Sequence, residues 1–157
     1  MLSPTVRDEL IRIAGRASVF DRPEDLRLYE YDGGVDKARP DVVVLPATGE
    51  QVSAIVKLAA QNGLPLVGRG AGTGLSGGSI PRLGGILVGF ARMNRILEID
   101  YANERAVVEP GVVNLDLTNA VQDGGYFFAP DPSSQRSCTI GGNVAETRAA
   151  RTPWCTV

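Results

Sequence analysis

The sequence predicts an α+β fold, a small parallel β-α-β lobe followed by a lobe of mixed or antiparallel strands. Three observations carry this. The β-branched run Asp41–Leu45, a helix-period stretch and the apolar run Leu64–Val67 follow one another at the spacing of a right-handed parallel β-α-β unit. Six glycines then fall between Gly68 and Gly78, where a strand-to-strand loop is expected. Beyond that loop come three short strand signals, over 86–90, 96–100 and 106–109, and one further helix.

The elements read in order as follows. Ser3 caps a first helix with Pro4 at its first position, Val6, Leu10, Ile13 and Ala14 share one face, and Gly15 ends it. Pro23 to Tyr31 reads as a second short helix. Asp41 to Leu45 is apolar on both faces and so reads as a buried strand. Thr48 with Gln51 forms a capping box, and Val52, Ile55, Val56 and Ala59 make the buried stripe that runs to Gly63. In the second lobe Asn114 is placed as a helix cap, with Leu117, Ala120 and Val121 inward and Gly124 closing the helix. Pro132 and the pair Gly141-Gly142 mark a last loop.

Composition excludes several classes of function. The 157 residues suit one domain, and a formal charge of −2 gives no electrostatic reason to expect nucleic acid. There is no histidine, hence no Ser-His-Asp triad, imidazole base or imidazole metal ligand. Cys138 and Cys155 make neither a disulfide framework nor a metal spacing, so a reducing compartment is expected, and no apolar run has membrane-spanning length. A cytoplasmic location is the expectation.

The glycine stretch carries the chemistry. Several consecutive N–H groups turned toward one point make an anion-binding nest, and the Arg69 guanidinium suits phosphate oxygens. A nucleoside-triphosphate loop would need Gly-Lys-Ser/Thr, and the stretch has no lysine. A dinucleotide fingerprint can be laid on Gly72, Gly74 and Gly77, but it must open a helix, and Pro81 with Gly84 prevents one. A flexible linker is the plain alternative. A diphosphate-binding loop running from strand to strand accounts best for the apolar runs on both sides. For Thr73 and Ser76 the competing role is local turn bonding, and for Arg69 a surface salt bridge.

Arg69 to Gly78 resembles the pyrophosphate loop of the vanillyl-alcohol-oxidase type flavoproteins, whose FAD domain is also called the p-cresol-methylhydroxylase type. The likeness is strongest to the branch holding the FAD-linked subunit of bacterial glycolate oxidase and D-lactate dehydrogenases. Residues 40–46 and 50–52, 108–112, and 129–134 with 138–146 fit further stretches of that pattern in order.

The resemblance implies non-covalent FAD, lying between the two lobes. Gly70, Gly72, Thr73, Gly74, Gly77 and Gly78 would cradle its diphosphate, within a loop that includes Arg69, Ala71, Leu75 and Ser76. Pro110 and Gly111 would form a flavin-contacting turn, and Pro130, Asp131, Pro132 and Ser133 would lie near the flavin. Thr139, Ile140, Gly141, Gly142 and Asn143 would pass close to it, with Asn143 as a polar anchor. Cys138 reads as a small buried residue, and no residue here is expected to be catalytic or to bind metal. The implied activity is oxidation of a small D-2-hydroxy acid, glycolate or D-lactate, by hydride transfer to the flavin. Electrons would then pass to an iron–sulfur subunit, which could hold the protein against the inner membrane. The alternative is an inactive fragment with residual or no FAD or nucleotide binding.

The expected organisation is an N-terminal helical segment at 1–37, an FAD-binding domain at 38–146 whose second lobe is incomplete, and a tail at 147–157, with the substrate domain missing. Relatives usually continue Asn-Ala-Gly-Gly-Pro-His where this chain has Thr147-Arg148-Ala149-Ala150-Arg151-Thr152. Restoring a single base before one permitted set of codons for that run regenerates the family sequence, so an out-of-frame tail is expected.

Overall fold

The computed structural model describes residues 2–146; the expected out-of-frame tail lies outside the described residues. The fold is α+β, in two compact units, one up to Arg92 and one from Met93.

In the first unit, α1 (Pro4–Ala14) is capped by the Ser3 hydroxyl, which accepts from the Val6 N–H, and buries Val6, Leu10 and Ala14. Strands β1 (Val19–Phe20), β2 (Val42–Val44), β3 (Leu66–Arg69) and β4 (Ile86–Gly89) form one sheet in the order β1-β2-β4-β3. β2 and β3 each pair with β4 in parallel, while β1 joins β2 antiparallel. The N-terminal segment thus adds a strand as well as helices. α3 (Gly49–Gln61) is the crossover between β2 and β3, as the periodicity requires.

The sheet is covered on both faces, which is why β2 and β4 read as unbroken apolar runs. Val42, Val44, Ile86 and Val88 pack with Leu10, Val19, Ile55 and Ala59. Val43 and Leu87 point to the other face and meet Leu26 of α2 (Pro23–Leu26). The expected second helix is therefore one turn, continued as a 3-10 turn over Arg27–Tyr29. Two other expectations change. Val56 lies 46% exposed, so the stripe of α3 is Ile55 and Ala59 with Val52 at its margin. β3 is an edge strand starting at Leu66, so the run Leu64–Val67 is only half-buried.

The second unit is an antiparallel hairpin, β5 (Ile96–Asp100) and β6 (Arg105–Val108), with helices α4 (Asn114–Val121) and α5 (Ile140–Ala145). Asp100 ends β5 and caps the turn by accepting from the Asn103 N–H at 3.1 Å. Val112, Leu117, Val121 and Ile140 form its core with Ile96, Ile99, Val108 and Phe128 around them. Ala120 is exposed, contrary to the expected inward face. Asn114 is the first helical residue and Val113 takes the cap position, because the Asn114 side chain is engaged elsewhere. The expected last loop at Gly141-Gly142 is helical. Thr139 caps α5 by accepting from the Gly142 N–H, which offsets the poor helix propensity of two glycines.

Candidate cofactor site

The predicted residues gather in two groups, one in each unit. In the first unit they occupy the connection 70–85 between β3 and β4, which contains no helix. A helix-opening dinucleotide fingerprint is therefore absent. Among the described residues, none of the ten backbone N–H groups from Gly70 to Ser79 donates to an acceptor of the chain. Carbonyls of the same loop are engaged: Gly74 O accepts from the Gly33 N–H at 2.9 Å, and Gly77 O from the Ile80 N–H at 3.1 Å. The Thr73 and Ser76 hydroxyls make no hydrogen bond within the described residues, so the local turn bonding weighed for them is not made.

Arg69 is a buried cation, and among the described residues it forms no salt bridge. It is 7% exposed, its Nη1 donates to Tyr31 O at 2.7 Å, and its guanidinium lies 5.8 Å from the centre of the Tyr29 ring. Burial holds its pKa below the ordinary value, and the Asp32 carboxylate opposes that shift. The guanidinium also fills the space beside Gly72, where a Cβ would lie 2.2 Å from Nη2. With φ at +70°, Gly72 turns the loop in a conformation that other residues resist.

A segment absent from the expected site supports this loop. Asp32 is buried, its Oδ1 accepts from the Gly34 N–H at 2.7 Å, and its Oδ2 has no partner. A Cβ on Gly33 would lie 3.0 Å from both Thr73 O and Gly74 O. The sequence signal was Asp32-Gly33-Gly34 itself, a turn signature, and in the fold the antiparallel bridge between Tyr31 and Lys37 brackets it.

In the second unit the structure joins the three remaining stretches. Pro110 and Gly111 form the turn 109–112, closed by Val112 N–H to Glu109 O at 3.2 Å. Gly141 N–H donates to Pro110 O at 2.9 Å and Ile140 N–H to Val112 O at 2.8 Å, so α5 starts against that turn. Gly141 is fitted there: a Cβ would sit 2.7 Å from Pro110 Cβ. Glu109 anchors the turn from behind. It is buried, and its carboxylate accepts from Arg95 N at 2.8 Å and Arg95 Nη2 at 2.8 Å, which holds its pKa below the usual carboxylate value. Pro130 enters through Asn114, whose Nδ2 donates to Pro130 O at 3.0 Å. Asp131 and Ser133 are exposed and Pro132 is half-buried. Asn143 is buried with its Nδ2 unpartnered, and Cys138 is buried. A cavity of about 230 Å³ in this unit, between the hairpin and α4, is lined mainly by apolar and aromatic side chains and shares only Ile140 with the predicted residues.

The FAD binding domain family matches residues 40–152 of the chain. The chain belongs to this family. Relatives of the FAD-binding domain include the glycolate oxidase subunit GlcD of Bacillus subtilis, 40% identical over 147 residues, which are 93% of this chain and 31% of that protein. GlcD of Escherichia coli K12 is 49% identical over 129 residues, 82% of this chain and 26% of its own length. This chain thus spans about a third or less of the curated relatives it matches. Among solved structures, 4-ethylphenol oxidase from Gulosibacter chungangensis superposes with a TM-score of 0.76 at 32% identity, over 88% of this chain and 28% of that one. Among the described residues no helix of the FAD-binding domain is long and apolar enough to cross a membrane.

The donor set fits FAD. In the first unit, ten N–H groups without a chain acceptor on a turning, glycine-rich loop can surround a diphosphate; in the second unit, taken by itself, Asn114 Oδ1, Ser134 Oγ and Asn143 Nδ2 are buried polar atoms without partners.

Proposed function

We propose that this chain is the FAD-binding portion of a flavin-dependent oxidoreductase acting on a small D-2-hydroxy acid of the glycolate or D-lactate class. The carrying observation is the run of unpartnered N–H groups from Gly70 to Ser79, in a loop where the Gly74 and Gly77 carbonyls already accept within the chain. In this reading the loop binds the diphosphate through its backbone. Arg69 braces the loop from inside, and the turn at Pro110-Gly111, the Pro130–Ser133 segment and the start of α5 hold the flavin end. In this reading the cofactor is non-covalent; a histidine-linked flavin has no attachment residue among these 157 residues, and Cys138 is buried. Bound FAD supplies the redox chemistry, taking a hydride equivalent from the carbon that bears the substrate hydroxyl. No described side chain has a catalytic role. Electrons leave to a partner subunit carrying iron–sulfur centres, through which a cytoplasmic enzyme can sit at the inner membrane. The similarity to GlcD supports glycolate first.

The test is a visible spectrum of the gently purified chain, titrated with FAD and then passed through gel filtration. Flavin absorbance eluting with the protein is the expected result. A colourless protein that stays folded and quenches no flavin fluorescence at saturating FAD overturns the reading. In a chain extended to the length of its relatives, glycolate and D-lactate should bleach the flavin anaerobically and L-lactate should not.

A further inference from the structure

We propose that Asn114 is a positioning residue for the second group: its side chain fixes the Pro130–Ser133 segment, and through it the affinity for the flavin end of the cofactor. The inference rests on the function proposed above and adds a residue outside the expected contact set.

The sequence places Asn114 at a helix start, where an asparagine side chain usually caps its own helix. Here it does not. Asn114 is 1% exposed, and its Nδ2 donates to Pro130 O, sixteen residues along the chain, at 3.0 Å. The helix start is satisfied in the opposite sense. Asn114 N–H donates to Cys138 O and Leu115 N–H to Gln135 O, each at 3.0 Å. Three bonds from two adjacent residues therefore hold both ends of the 130–138 segment against α4. Pro130 and Pro132 have no N–H and fixed φ angles, and the bonds the segment makes within itself, from Gln135 N–H to Pro132 O and from Ser137 and Cys138 N–H to Ser134 O, all lie beyond Asp131. The segment's course depends on what grips its carbonyls. A glycine loop that holds a diphosphate leaves the rest of the ligand to be held by other groups. Asn114 Oδ1, Ser134 Oγ and Asn143 Nδ2 are buried without partners in this unit. Asn114 bears on that set twice: its own Oδ1 belongs to it, and the bond its Nδ2 donates holds the segment that carries Ser134.

The test uses Asn114→Asp, which keeps the shape but turns the donor into an acceptor facing Pro130 O, and Asn114→Ala, which removes both atoms. Amide exchange is measured on the ligand-free chain. In both variants the amides of Leu115, Gln135, Ser137 and Cys138 should exchange about tenfold faster or more, on the scale of one lost buried hydrogen bond, with the β5–β6 hairpin unchanged. Titration with FAD and with ADP, which has the diphosphate but no flavin ring, should show FAD weakened about tenfold and ADP unchanged, again the scale of one hydrogen bond. Unchanged exchange at 130–138 overturns the proposal. So does exchange that rises equally through the hairpin, or FAD and ADP affinities that fall together, since either marks a general structural role. If the unaltered chain binds no FAD, the proposed function fails, and the exchange measurement still decides whether Asn114 positions the loop.

Discussion

Gly72→Ala should damage the glycine loop through two separable costs. The residue holds φ at +70°, where a Cβ costs about 1–2 kcal/mol. The added methyl would also lie 2.2 Å from Arg69 Nη2 and 2.5 Å from Cζ. The guanidinium must then leave its place, breaking its 2.7 Å bond to Tyr31 O, and a bond from a charged donor contributes about 1.5–3 kcal/mol. Together these give a loss of about 2.5–5 kcal/mol. Arg69→Ala alone removes the bond and leaves the backbone at Gly72 unstrained, costing about 1.5–3 kcal/mol. The double variant has no guanidinium to displace, so it should be more stable than the sum of the single costs by about 1.5–3 kcal/mol. Urea unfolding of the four proteins in a double-mutant cycle measures that coupling. Strictly additive losses would show that the methyl and the guanidinium do not compete for one space, and would refute the reasoning.

Three further outcomes follow from the same geometry. Gly33→Ala would push a methyl to 3.0 Å from Thr73 O and Gly74 O, so FAD affinity measured by fluorescence quenching should fall about tenfold, the scale of a loop shift that costs one hydrogen bond, with little change in the unfolding midpoint. Gly141→Ala would force Pro110 and the start of α5 apart; overpacking of this kind costs about 1–3 kcal/mol, read as a lower unfolding midpoint and faster amide exchange at Gly141. The Glu109 carboxyl is held below its ordinary value of 4.5 by Arg95. Its contribution to stability is therefore complete above about pH 4.5 and is lost as the pH falls through the lower folded value. Stability measured from pH 6 to pH 3, roughly the carboxylate range, should fall less steeply in Glu109→Gln.

The sequence made the local features legible and hid the distant ones. The glycine loop could be read because its evidence is contiguous: glycine density, Pro81 against a helix, and apolar runs on either side. The Val42–Val44 strand could be read because burial on both faces leaves no polar alternation. Asn114 was misread because cap preference is a local rule, and the group that claims its side chain is Pro130. The start of α5 was read as a loop because propensity penalises Gly141 and Gly142. Thr139 and the close approach to Pro110 outweigh that penalty, and the approach itself requires the glycine. Arg69 offers a planar, charged guanidinium that the sequence leaves between a phosphate and a surface salt bridge. Its burial against Tyr29 and Tyr31 depends on a segment 38 residues earlier.

One arrangement recurs in both groups. In each, a buried side chain reaches across the sequence to hold a backbone carbonyl: Arg69 holds Tyr31 O, and Asn114 holds Pro130 O. Around these braces further carbonyls are used within the chain, Gly74 and Gly77 in the first group, Pro132, Ser134, Gln135 and Cys138 in the second. The peptide groups of the glycine loop thus present their donor ends outward while their acceptor ends are partly consumed. A chain with formal charge −2 has no general attraction for an anion. In the proposed reading, oriented peptide dipoles of the glycine loop would provide it locally. Arg69 is spent on Tyr31 O, so in the proposed reading the backbone donors of the loop are the groups left for the phosphate.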